Sequence, residues 1–123
     1  MISRTAEGIG LAELYTLDSN GRVTRVIVSG SVQADTDVLV VGFVIQGAAW
    51  KRLLIRADVP QSTNGSAGTR NEIALYAGTD GVAANERWSI AANADQIAST
   101  CRTLGLGTLL RGPGEPAALF VTL

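Results

Sequence analysis

The chain has no histidine, and its 123 residues include one cysteine, one lysine and three prolines. Without histidine, Ser-His-Asp and Cys-His nucleophile activation are excluded, as are the commonest ligand sets for zinc and iron. A lone Cys101 excludes an intrachain disulfide, but it does not fix the compartment. No run of about 18 apolar residues is present, so no membrane-spanning helix and no membrane insertion are expected. Met1-Ile2-Ser3-Arg4-Thr5 lacks the apolar stretch of a signal peptide. The chain therefore reads either as cytosolic or as a piece of a longer exported protein.

Charge is scarce too. Only 17% of residues are charged, the net charge is −1, and the nine arginines and Lys51 are spread along the chain. Nucleic-acid binding needs a clustered positive footprint that displaces phosphate counterions, and no cluster exists here. The same argument removes an anionic membrane surface as partner.

What is present is apolar residue and glycine. At 46% hydrophobic with 14 glycines, the chain can bury one sizeable core and make many tight turns. That suits a single domain over residues 1–123 built from short strands. Ile9 to Leu17 is a strand, Asn20-Gly21 is a strong hairpin signal, and Arg22 to Ser29 is the return strand, with Val26 and Val28 on one face and Ile27 on the other. Val38 to Gln46 is apolar on both faces and reads as a strand in the middle of a sandwich or under a neighbouring element. Trp50 to Ala57 alternates Lys51, Leu53 and Ile55 with Arg52, Leu54 and Arg56.

Residues 60–70 form a loop by composition, Glu72 to Ala77 a short strand, and residues 79–85 a second loop. A helix is expected from Asn93 or Ala94 to about Thr103, stopped by Gly105, with Ile97 and Cys101 on one face. Ala117 to Leu123 closes the chain as an apolar strand. Together these elements predict an all-β fold: a two-layer antiparallel β-sandwich, jelly-roll-like, with one short helix near 94–103.

Few residues carry chemistry. Gly8-Ile9-Gly10 and Gly105-Leu106-Gly107 do not complete a phosphate-binding loop, because Glu13 and Leu110 stand at the third glycine position. Asp35 and Asp37 suit a turn held by Asx hydrogen bonds, with calcium as an alternative and catalysis a remote one. Cys101 reads as a small core hydrophobe. Trp88 suits the core, whereas Trp50 divides between core and a stacking contact for a sugar or protein ligand. Glu13 interrupts the face made by Leu11 and Tyr15. It is either buried against an arginine, Arg56 ahead of Arg25, or in water on an edge strand. No cofactor and no metal are implied.

The ordered combination DVLVVGFVIQG (37–47), KRLLIRADVP (51–60), EIALYAGTDG (72–81), NERW (85–88), ADQIAST (94–100) and AALFVTL (117–123) resembles a Gly-rich repeat family of large exported bacterial surface proteins. In that family AALLVTL runs into PGAYTAxVSG, which turns back into GVALVEVYD; here IGLAELYTLD (9–18) answers the last of these. The family is similar in style to bacterial pre-peptidase C-terminal domains. Trp50 departs from it, standing where proline is usual, and the 60–70 loop is reduced.

The resemblance implies a β-sandwich without enzymatic activity, acting as a structural or adhesive module in an extracellular or cell-surface assembly. It also suggests a repeat cut out of frame with its fold, with Met1-Ile2-Ser3 left from a missing strand. Ile9, Leu11, Glu13, Tyr15 and Leu17 are then the candidate assembly strand, closing their own sandwich or that of a neighbour. A homo-oligomer or filament joined through sheet edges follows. The alternative is a carbohydrate- or protein-binding module that uses Trp50.

Overall fold

In the computed structural model, residues 2–4, 8–17, 23–32, 39–58, 71–107 and 115–123 are described. The turn signal at Asn20-Gly21 is matched by the ladder on either side of it. β2 (Gly8–Leu17) and β3 (Val23–Val32) pair antiparallel from Gly8 opposite Val32 to Leu17 opposite Val23. β4 (Arg52–Asp58) pairs with the other side of β2, and β7 (Ala117–Thr122) with the far side of β4. These four strands make one sheet in the order β3-β2-β4-β7. β1 (Ile2–Arg4), β5 (Asn71–Ala77) and β6 (Asp80–Asn85) make the other, in the order β1-β5-β6. All pairings in both sheets are antiparallel, so the fold is mostly strand with one short helix.

The register sorts the four-stranded sheet into two faces, because successive side chains on a strand point opposite ways. Leu14, Ile55 and Leu119 share one row, and Ala12, Ala57 and Ala117 the next on the same face. This face joins Ile73 and Leu75 of β5 in one apolar cluster, so residues of both sheets meet there. The opposite face presents Tyr15, Leu54 and Phe120 in a row, with Ala118 beside them. α1 (Ala94–Thr103) covers that face with Ile97 and Cys101, both fully buried beside Trp88. The strand sequence RLLIRA therefore serves two cores, with Leu54 on one face and Ile55 and Ala57 on the other.

The helix ends as its glycine requires. Gly105 has φ +73°, its N–H bonds the carbonyl of Arg102 at 3.0 Å, and the N–H of Leu106 bonds that of Cys101 at 2.9 Å. This is the paired closure that satisfies the last helical carbonyls and that a left-handed residue permits. At the other end the side chain of Asn93 does not cap the helix. Its amide donates to the carbonyl of Phe120 at 3.0 Å and fastens the helix start to β7.

Two segments differ from the sequence reading. Residues 80–85 are β6 rather than loop, joined to β5 by Gly78-Thr79, with Gly78 at φ +64°. A glycine of positive φ leading a two-residue connection is a hairpin signal in its own right. The strand it introduces, DGVAAN, is poor in β-branched and aromatic residues, which conceals it. The second difference is larger. Residues 40–46 are in no strand, Leu39 makes only an isolated bridge, and Val40 and Val44 are 71% and 84% exposed. The expected interior strand is a surface segment over its described part: Leu39 and Val41 pack against the core while Val40 and Val44 face water.

Candidate assembly surface

The strand proposed from sequence as the assembly element is interior. Ile9, Leu11, Glu13, Tyr15 and Leu17 all lie in β2, with β3 on one side for its whole length and β4 beside residues 11–17. Of the two placements expected for this strand, closing its own sandwich or that of a neighbour, the first is seen here, with residues 11–17 paired on both edges.

β2 instead holds a buried polar group. Glu13 and Arg56 stand directly opposite on adjacent strands, and Arg56 Nη1 lies 3.5 Å from Glu13 Oε2. The hydroxyl of Tyr15 donates to the same carboxylate oxygen at 3.0 Å. Arg25, across the hairpin from Tyr15, sits over its ring with the guanidinium carbon 5.8 Å from the centroid, within cation–π range. Of the two arginines weighed from sequence, Arg56 meets the carboxylate and Arg25 meets the ring. Burial, and then the hydrogen bond to Glu13, push the Tyr15 phenol above its ordinary value. The arrangement compensates a buried charge.

Cys101 is fully buried under the helix, and burial raises its thiol pKa, so the reactive thiolate is disfavoured. Trp88 is 2% exposed and belongs to the core beside it. A contact that the sequence did not single out anchors Trp88. The N–H and hydroxyl of Ser89 donate to Glu115 Oε1 at 3.3 and 2.5 Å, and the N–H of Trp88 donates to the carbonyl of Pro116 at 3.1 Å. Glu115 stands in a Gly-Pro-rich stretch whose turn chemistry gives no hint of a buried carboxylate.

Trp50 is 80% exposed and ends the segment that carries Val40, Phe43 and Val44. From Leu39 to Trp50 there is no charged residue and no proline. Proteins guard exposed strand edges with charge, proline or bulges, and this stretch has only Gly42 and Gly47, the latter at φ +99°, to interrupt it. The inner side of the segment walls an apolar groove of about 50 Å³, lined by Val41, Phe43, Ala12, Leu14, Val28 and Leu75 among others. A second, wider cleft of about 400 Å³ lies between β6 and β7, with Asn85, Ile90, Asn93 and Phe120 on its walls.

Asp35, Asp37 and the 60–70 loop lie outside the described residues, and with them the calcium alternative. Among the described residues, no group of three or more Cys, Asp or Glu side chains could hold a metal ion. None of the described helices is long and apolar enough to cross a membrane. Compared with known protein families, curated proteins and solved structures, the chain matches none.

Proposed function

We propose that this chain is a non-catalytic structural or adhesive module of a bacterial extracellular or cell-surface assembly, folded as a two-layer, jelly-roll-like β-sandwich. The apolar cluster shared by the two sheets supports the layered reading. The resemblance of DVLVVGFVIQG, KRLLIRADVP and AALFVTL to exported bacterial repeats supports the location. One observation carries the role: the uncharged segment from Leu39 to Trp50 exposes Val40, Val44 and Trp50, three large apolar side chains, to solvent. An apolar surface with no charge to guard it is characteristic of a protein contact. The buried acids and the buried thiol are held by neighbours or disfavoured by burial, which supports a passive framework.

Sedimentation across a wide range of protein concentration tests this reading. Association that rises with concentration is expected, and a chain that remains monomeric at high micromolar concentration overturns it. A second reading is favoured by Trp50 alone, which is exposed well enough to stack on a sugar ring or a protein ligand. Quenching of its fluorescence by soluble glycans, with no change in particle size, would establish that reading in place of the first.

A further inference from the structure

We infer that the cleft between β6 and β7 binds an uncharged sugar, with the side-chain amides of Asn85 and Asn93 as its polar contacts. The inference goes beyond the assembly reading above, and it uses neither Trp50 nor the exposed segment that Trp50 ends. Three elements wall the cleft: the end of β6 with Asn85, the turn over residues 90–93, and β7 with Leu119 and Phe120. Its volume of about 400 Å³ falls within the range of small-ligand sites. Asn85 Oδ1 is buried, and among the described residues it receives no hydrogen bond. A buried acceptor without a donor is costly, and native folds keep few of them. This one stands in a residue that lines a cleft, where a ligand can supply the donor.

The chemistry of the walls selects the ligand. Among the described residues that line the cleft, none has an ionisable side chain. A charged ligand would shed its hydration there with no opposite charge to receive it, so the occupant is neutral. Ile90, 63% exposed, and Phe120 supply apolar surface. Asn93 is held in place by donating to the carbonyl of Phe120 at 3.0 Å, and its oxygen is not spent on capping the helix. The terminal torsion of an asparagine side chain is soft, so the Asn85 oxygen can turn to a donor that arrives in the cleft. A sugar brings several hydroxyl donors close together on a compact ring, and its C–H faces can lie against the apolar walls. An uncharged peptide brings one N–H per residue and is the poorer match.

Heteronuclear NMR of the full chain tests the site, read at the side-chain amide signals of Asn85 and Asn93. The probes are cellobiose, maltose and N,N′-diacetylchitobiose, titrated into the millimolar range. At least one of these neutral disaccharides should shift both signals, whereas glucuronate and protonated glucosamine should not. Asn85→Leu, read at Asn93, should weaken binding about ten-fold, as for the loss of one hydrogen bond. It should not lower the melting temperature, because the oxygen it removes has no donor to lose. Ile90→Ala changes an exposed side chain and should weaken binding with the fold intact. Trp50→Ala should leave the titration unchanged, which separates this site from a sugar contact at Trp50. No shift with any of the three disaccharides overturns the inference, and so does an undiminished shift in both Asn85→Leu and Ile90→Ala. Equal shifts with the charged sugars, or shifts only with the uncharged peptide N-acetylalanine methylamide, overturn the ligand class.

Discussion

Glu13 and Arg56 occupy opposed positions on adjacent strands, and the oxygen of Glu13 that faces Arg56 Nη1 at 3.5 Å also receives the hydroxyl of Tyr15 at 3.0 Å. Both charged side chains retain only 10% of their exposure. Glu13→Gln keeps the shape and removes the charge beside Arg56. A loss of about 3 kcal/mol is expected, in the range measured when one partner of a buried pair is deleted. Urea denaturation measures it, and a midpoint equal to that of the parent chain would show the pair to be energetically idle.

The same pair links the fold to alkaline pH through Tyr15. Its phenol is raised above the ordinary value near 10, first by burial and then by Glu13. A group with a raised folded pKa holds its proton more tightly when folded, so the unfolded chain releases it first. The stability involved is complete below about pH 10 and is lost as pH rises through the folded pKa. Cys101, raised from its ordinary value of 9.0, acts in the same direction from a somewhat lower pH. Tyr15→Phe should therefore flatten the decline of melting temperature between neutral and strongly alkaline pH. An equally steep decline in that variant would assign the alkaline loss to other groups.

Gly105 gives a prediction free of packing effects. Its φ is +73°, and a Cβ built there meets nothing within 4 Å. Gly105→Ala should cost about 1 kcal/mol from backbone strain alone. Gly105→Asn, which tolerates this conformation better, should recover part of it. Equal losses for the two substitutions, measured by thermal unfolding, would contradict the assignment.

The two tryptophans should separate by environment. Trp88 at 2% exposure and Trp50 at 80% predict one shielded and one fully quenchable emitter in acrylamide titration. Trp88→Ala should destabilise by about 3–5 kcal/mol, as for other buried aromatic deletions. Trp50→Ala should leave the melting temperature of the dilute chain unchanged. A large loss from Trp50→Ala would place that side chain in a packed site.

Much of the architecture was legible because local chemistry agreed with it. Asn20-Gly21 between two apolar runs specified the β2–β3 hairpin, and Ile97, Cys101 and Gly105 specified a helix of the observed bounds, Ala94–Thr103. The ion pair could be anticipated because Glu13 breaks an apolar face. β6 was concealed because Ala, Gly and Asn carry little strand signal. Val38 to Gln46 misled for a deeper reason. An apolar run without clear period two does not by itself distinguish a buried strand from an irregular segment that buries only some of its side chains.

The interior position of β2 also orders events in time. Its pairing with β3 joins residues close in sequence, Leu17 opposite Val23, and hairpin closure of that kind takes microseconds. Its pairing with β4 must wait until residues 33–51 have been looped out, and β7 can be added only after β4 is in place. The looped stretch contains Val40, Phe43 and Val44, so these apolar side chains are carried unburied through a non-local step of folding. Recovery after dilution from denaturant should therefore fall as protein concentration rises, even for variants whose native state does not associate.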